Sequence, residues 1–342
     1  MDILDPTRIP DWDQILLNTP GYSFFHSSAW TRVLQESYGY SPKYFAEIRE
    51  GRFSVLIPIM EVNSFLTGKR GVSLPFTDCC DSVIAEPRKG PQIWGKILAS
   101  GAVQGWKSLE VRSENFFLPD PAPAASFFSH SLDLSKGEKI LFCTFRDSTR
   151  RNIKKAVRQG VEVRICDTFE ATKEFYRLHC LTRKRHGLPP QPVYFFKSIY
   201  ANIISQDKGF IALADYNNQG IAGAVFFHFG EAGIFKFGAS DKKFQHLRAN
   251  NLVMWEAIKR HLQKNVKRLS LGRTERNNRG LLQFKSGWGA KQGVINYFNY
   301  DFGRQAFSSI TSPVTEFSKK IFTHFPSSLA RIVGSLLYKH LG

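Results

Sequence analysis

Acidic residues are scarce in this chain of 342 residues: 29 Asp and Glu stand against 47 Lys and Arg, a formal net charge of +18. That imbalance sets up a long-range field that draws anions. Nucleic acid, an anionic membrane surface or a phosphorylated substrate are the partners it favours, although a basic balance also serves solubility alone. Cysteine is equally sparse, with five at positions 79, 80, 143, 166 and 180, no Cys-x-x-Cys pair and no histidine at ligand spacing. This excludes a disulfide framework and a zinc site, so the thiols read as reduced and no metal is expected. No run of about eighteen apolar residues exists to span a bilayer. The longest candidate, "IAGAVFFHFGEAGIFKFGA", is broken by His228, Glu231 and Lys236. The opening "MDILDPTRIPDWDQ" is acidic, unlike a secretory leader, and the expected location is cytoplasmic.

Several chemical signatures are missing as well. There is no GxxxxGK[ST] phosphate loop and no GxGxxG after a strand, which argues against nucleotide hydrolysis and a dinucleotide cofactor. The absence of a GxSxG elbow and of HExxH removes the common hydrolase and metalloenzyme readings. Without a zinc finger or the aromatic strand motif of single-strand RNA binders, charge alone speaks for nucleic acid, and specific DNA binding is not expected.

What is present is apolar and ordered. A hydrophobic share of 42% with 30 phenylalanines supplies two cores, as the length also suggests. "SSAWTRVLQESYG" reads as a helix capped by Ser27 or Ser28, with Trp30, Val33 and Leu34 on its apolar side. Two apolar runs about Arg49 to Arg52 make a hairpin, and "GFIALADYNNQGIAGAVFFHFGEAGIFKFGAS" repeats the idea with turns at Asn217 to Gly220 and Gly230 to Gly233. A helix, a hairpin and a polar loop thus occur in each half, which suggests a duplicated α/β unit. "FLPDPAPAASFFSHSLDLSKGEK" reads as connecting or edge structure, and the boundary is expected near residue 140.

Charge then concentrates in the second half. Arg146, Arg150, Lys154 and Arg158 recur every fourth residue, with Arg151 and Lys155 beside them and Ile153, Ala156 and Val157 opposite. Like charges at that spacing repel, and tolerating them favours an anionic ligand over a plain solvated face. "TRKRHG" closes the next helix, where Arg183 is either a cap of the helix end or a ligand group. "LSLGRTERNNRGLLQFKSGWG", residues 269–289, has an apolar opening that reads as a buried strand ending at Gly272.

The strings "FKFGASD", "LRANNLVMWEAIKRHL" and "LSLGRTERNNRGLLQFKSGWG", in that order, resemble the Fem-type branch of the acetyltransferase-like (GNAT) superfamily. "RRNIKKAVRQGVEV", "FYRLHCLTRKRHGLPPQPVYFF" and the early "FFHSSAWTRVLQESYGYSPKYF" extend the resemblance over nearly residues 20–300. It implies an α/β (α+β) fold of tandem GNAT-like domains, each a mixed, mostly antiparallel sheet flanked by helices. The expected division is 1–140, 141–305 and an amphipathic helical tail over 306–342. The activity implied is transfer of an acyl or aminoacyl group to an amine on a phosphorylated cell-envelope or exopolysaccharide precursor. Transferases of that branch add amino acids to peptidoglycan precursors. No sustained heptad run provides the coiled-coil arm of some bridge-forming members, which bears on whether the donor is an aminoacyl-tRNA or an acyl-CoA. No cofactor is expected to be tightly bound. An acyl-CoA-dependent N-acetyltransferase and a degenerate GNAT-fold binding protein are the alternatives.

Transfer to an amine needs positioning, a donor to the developing oxyanion and a route for a proton. Lys236, Arg273 and Lys285 would supply the positive charge, and Glu256 or Glu275 the proton acceptor, with a surface ion pair as the plainer reading of Glu256. Lys285 matches the lysine of the family's FKxG string, and Trp288, in the Gly287 to Gly289 turn beside it, is expected to contact the substrate. Arg151, Lys154 and Arg183 are expected to hold the anionic, phosphorylated or lipid-linked substrate. Where CoA-dependent relatives carry a glycine-rich pyrophosphate turn, this chain has Arg248, Ala249, Asn250 and Asn251, and Asn250 reads equally as a helix cap. The tail is expected to break at Pro326 and to display Leu329, Ile332, Val333, Leu336 and Leu337 beside Arg331, Lys339 and His340. It then either docks on the protein's own core or lies on the inner face of a membrane.

Overall fold

A computed structural model describes residues 1–119, 121–309 and 327–341, and the chain divides into two compact units. The first comprises Met1–Phe128, Val294–Pro313 and Leu336–Gly342, and the second Ser129–Gly293 and Val314–Ser335. The division expected at residue 140 therefore falls at 128/129, and Val294 onward, assigned from sequence to the second domain, belongs to the first unit.

In the first unit, β1 (Asp2–Leu4), α1 (Trp12–Leu17) and α2 (Ser28–Tyr38) precede β2 (Ser41–Pro42). Ser27 caps α2, accepting from the Trp30 amide at 3.5 Å, and Gly39 ends it at φ +70°. β3 (Tyr44–Arg49) and β4 (Arg52–Ile57) form the expected hairpin, turning on Glu50 and Gly51, both at positive φ. β5 (Met60–Ser64) and β6 (Gly68–Val72) make a second hairpin, and β7 (Val83–Ile84), α3 (Gly90–Gln104) and β8 (Ser108–Ser113) follow. The order β1-β3-β4-β7 gives a small antiparallel sheet, while β8 pairs parallel with β6 across the α3 crossover. Its core gathers Phe45, Ile57, Trp94, Ile97, Trp106 and Phe298.

β9 (Ala125–Asp133) leads into the second unit, so the passage read as connecting or edge structure contains a strand with a partner on each side. Its Ser131 to Asp133 pair with a later strand, and that pairing decides their conformation despite the Pro- and Ser-rich flanks. α4 (Glu138–Thr144), α5 (Asp147–Arg158), β10 (Glu162–Cys166), α6 (Phe169–Arg185) and α7 (Val193–Ile199) come next. β11 (Gly209–Tyr216), β12 (Gln219–Phe229) and β13 (Ala232–Ser240) form a meander whose first turn places Asn217 and Asn218 at positive φ. α8 (Ala249–Gln263) then crosses to β14 (Arg268–Ser270), which pairs parallel with β13 and antiparallel with β9. α9 (Arg279–Ser286) and β15 (Lys291–Asp301) return the chain to the first unit, where β15 pairs with β8 and with β16 (Ala306–Phe307). α10 (Ser327–Leu341) ends the described chain.

The middle strands of the second sheet are buried on both faces. Phe210, Ala212, Ala222, Ala224 and Phe226 join the core under α5 and α8. Their neighbours point the other way, and a Cβ on Gly223 would meet Phe175 of α6 at 3.3 Å. Each unit thus repeats helix, hairpin, crossover helix and parallel strand. No helix of the described residues is long and apolar enough to cross a membrane. Pro326, where the tail was expected to break, lies outside the described residues.

Candidate functional site

In the second unit, β13 and β14 stay paired for only three positions: Ala232 with Arg268, Gly233 with Leu269 and Ile234 with Ser270. Beyond them β13 bulges, since Val225 faces Phe237 but Phe226 faces Phe235, which leaves Lys236 as the extra residue. β13 then runs on to Ser240, whereas the chain after β14 turns to β9, the Leu271 amide donating to the His130 carbonyl at 2.8 Å. Two parallel strands that part in this way leave a backbone edge of β13 open to a ligand. Thr182 of α6 closes the far end of that edge: its hydroxyl accepts from the Ser240 amide at 3.0 Å.

The start of α8 stands beyond Ser240. Arg248 occupies its N-cap in the left-handed region, φ +62°, with no side-chain cap, and Asn250 donates to the Ser240 hydroxyl at 3.4 Å. Asn250 is therefore in the first turn and is not the cap, contrary to one reading of the sequence. Asn251 beside it is buried, and Arg248 is exposed.

On the β14 side, the glycine-rich stretch forms a helix where a turn was expected. The Asn278 side chain caps α9 by accepting from the Leu281 amide at 3.1 Å, and this first-turn bond outweighs the cost of Gly280. Lys285 falls in the last turn of α9, 2% exposed, and its ammonium donates to the carbonyls of Gly272 and Arg273 at 2.8 Å each. It is neither on a hairpin nor at the surface: it staples α9 to the end of β14. Trp288 is wholly buried, edge-on to Phe145 with ring centroids 5.0 Å apart, and so is a core residue in place of the expected contact.

His130, Thr274 and Trp288 each keep side-chain polar atoms buried without a hydrogen-bond partner among the described residues: both ring nitrogens of His130, the Thr274 hydroxyl and the Trp288 indole nitrogen. Leaving such groups unpaired costs about 1–3 kcal/mol apiece, so the two that flank Gly272, on His130 and Thr274, call for a cause. Burial holds the His130 pKa below the ordinary imidazole value, and the Lys285 charge lowers it further. The imidazole is neutral near pH 7. His179 on α6 is likewise neutral, pushed down to about 3 by burial and then by Arg183, with Gln191 2.7 Å from its Nε2.

The other expected site residues scatter. Glu256 pairs with Lys259 at 2.8 Å along α8, the plain ion pair anticipated for it. Glu275 is exposed in the turn before α9, and its carbonyl accepts from the Asn278 amide. Arg183 donates to the Pro189 carbonyl at 3.2 Å, which makes it a strut for the loop after α6. Lys236 stands 5.3 Å from the Phe237 ring centre beside the open edge, and Arg273 is half-buried after Gly272. Arg151 and Lys154 are exposed on α5, but Val157, expected on its apolar side, is 57% exposed. Sequence reasoning missed His130 and His179, because a lone histidine among apolar residues carries no spacing signal.

Residues 144–286 match the family described as acetyltransferase (GNAT) domain. The second unit carries a GNAT domain. The matched region supports an acyl- or aminoacyltransferase, and the fold of the chain is FemX-like. The crystal structure of FemX is similar at a TM-score of 0.66, with 12% identity over 88% of this chain and 96% of that one. The C-terminal domain of a putative lysylphosphatidylglycerol synthetase from Agrobacterium fabrum gives a TM-score of 0.56, 12% identity and coverage of 83% and 88%. A tandem GNAT protein from the clavulanic acid biosynthesis pathway gives 0.53, 9% identity and coverage of 80% and 87%. These likenesses establish a tandem GNAT fold. No curated protein matches the sequence.

Proposed function

We propose that this GNAT acyltransferase moves an acyl or aminoacyl group to an amine of a phosphorylated, lipid-linked or cell-envelope precursor. The observation that carries the reading is the parting of β13 from β14 at Ile234 within the GNAT-matched region. An extended donor chain lies along the open edge of β13, takes main-chain hydrogen bonds there, and brings its carbonyl to the Gly272 to Thr274 loop. The amine nitrogen attacks that carbonyl carbon, a C–N bond forms, and the bond to the leaving sulfur or oxygen breaks. The nitrogen gives its proton to the neutral His130 ring, which later returns it to the leaving group. Lys236 and Arg273 face the negative charge of donor or oxyanion, while Lys285 acts as a positioning residue by holding the two carbonyls of the loop. Arg151 and Lys154 on α5 attract the acceptor's phosphate.

Two donors fit this chemistry. An acyl-CoA would set its pyrophosphate at Arg248, Asn250 and Asn251, although side chains stand there in place of glycines. An aminoacyl-tRNA would instead draw on the basic face of α5. Support for an envelope acceptor comes from the FemX-like fold together with the net charge of +18. The deciding experiment offers the purified protein labelled acyl-CoA or labelled aminoacyl-tRNA with membrane-extracted phosphorylated precursors. One label is expected to reach the precursor amine; if neither moves, the reading fails.

A further inference from the structure

We propose that the tip of the β5–β6 hairpin and the end of α10, both in the first unit, form a surface that inserts into an anionic lipid bilayer. The proposal goes beyond the transfer reaction and does not depend on it. Phe65 and Leu66 project from the tip at 85% and 56% exposure, and Leu336 on α10 is 67% exposed. Single exposed apolar residues are ordinary, but an adjacent Phe-Leu pair on a rigid protrusion is not. Rigidity is built in locally: the Ser64 hydroxyl accepts from the Leu66 and Thr67 amides at 3.2 and 3.1 Å and lies 3.0 Å from Nδ1 of His340. Gly68 closes the turn at φ +76°, and a Cβ on it would strike the Lys107 side chain at 2.6 Å, so the stem of Lys107 rests on the turn itself.

The α10 end is joined to this tip. His340 meets the Phe65 ring edge-on at 4.5 Å between centroids, and Leu336 lies one turn earlier on the same helix face. Tyr40 donates to the carbonyls of Tyr338 and Lys339 at 3.2 and 3.1 Å, and Arg70 to that of His340 at 3.0 Å, so the last turn is fixed. Tyr338 is buried beneath it. Leu336 therefore faces outward because the opposite side of the helix is already packed, and Phe65 and Leu66 project from the turn that His340 touches.

Charge identifies the occupant. Exposed Lys107 and Lys339 flank the apolar tip, with Lys69 beside them. The acids that face these cations are engaged: Glu61 holds Lys69 at 3.3 Å and the Trp106 indole at 2.7 Å, and Glu110 holds Arg112 at 2.6 Å. An aromatic and aliphatic wedge ringed by lysines suits the boundary between headgroups and acyl chains, with the ammonium groups on lipid phosphates. A second copy of a chain with a net charge of +18 would be repelled from the same surface.

The test is co-sedimentation of the intact chain with vesicles of phosphatidylcholine containing phosphatidylglycerol, and with phosphatidylcholine alone. Retention is expected on the anionic vesicles, weakened by salt. Phe65→Ser with Leu66→Ser, and separately Lys107→Glu with Lys339→Glu, should each weaken it at least about tenfold while circular dichroism stays native. Failure of the unaltered chain to bind would overturn the proposal, as would full retention by the Phe65/Leu66 variant. Loss of a dimer in that variant with vesicle binding unchanged would assign the surface to a second copy and also overturn it.

Discussion

His130 is the residue on which the proposed chemistry turns, because it is a neutral imidazole whose two nitrogens have no partner among the described residues, beside the loop that Lys285 holds. A base is active only when deprotonated. Its pKa is depressed, first by burial and then by Lys285, so activity should be full at neutral pH and fall as pH drops through a value below the ordinary imidazole range. Removing the charge in Lys285→Met relieves the second cause, so the acid limb of kcat against pH should move upward. The same variant should lose about 2–3 kcal/mol of stability in urea, since two carbonyls forfeit a charged donor. His130→Gln should abolish the limb and lower kcat by a factor of about 100 or more. A limb that stays in place in both variants would remove His130 from the proton path. Neither role was legible beforehand. The sequence marks Lys285 by its neighbours Gly287 and Gly289, which look like a turn, but only the fold shows α9 carrying that lysine into the interior. Trp288 misleads for the same reason: its glycine neighbours suggest a site, while its ring fills core between Phe145 and Phe284.

Among the elements, hairpins and crossover helices were readable because their signals are local. Gly51 in the first turn and Asn217-Asn218 in the second supply residues tolerant of positive φ, and the apolar runs around them fix the strands. β9 was not readable, since its partner β14 lies more than a hundred residues downstream and no local pattern announces it. α5 was half readable. Its basic spacing held, yet Val157 faces outward, so the helix buries a narrower stripe of Thr149, Ile153 and Ala156 against the core. Arg150 pairs with Asp147, whereas Lys154, Lys155 and Arg158 have no ion pair among the described residues. An element that leaves like charges uncompensated one turn apart is suited to an anion. Arg151→Glu with Lys154→Glu should therefore raise KM for a phosphorylated acceptor about tenfold or more, with kcat and the melting temperature nearly unchanged. Equal KM at low salt would return this face to plain solvation.

For the whole molecule, the two-unit organisation was foreseen and its seam was not. Composition shifts at the Pro-rich passage point to residue 140, but the contacts place the seam at 128/129, because Leu132 and Leu134 belong to the core that also holds Phe145 and Trp288. The seam on the far side lies at 293/294, inside β15, where the strand runs on through Gly293 without a break. The consequence is testable by truncation. A fragment cut at 141–305 lacks β9, one of the two strands that pair with β14, bares one edge of β14 at Leu269, and carries Asn296–Asp301, whose partners are in β8. A fragment of 129–293 keeps β9 from Ser129 onward and the whole of the second unit's sheet. The 129–293 fragment should unfold in one cooperative urea transition with dispersed amide resonances, and the 141–305 piece should aggregate or melt without cooperativity. If the two fragments behave alike, Ser131 to Asp133 contribute little to the unit. β14 would then stand without β9, and the loop at Gly272 would have to draw its order from α9 and Lys285 alone.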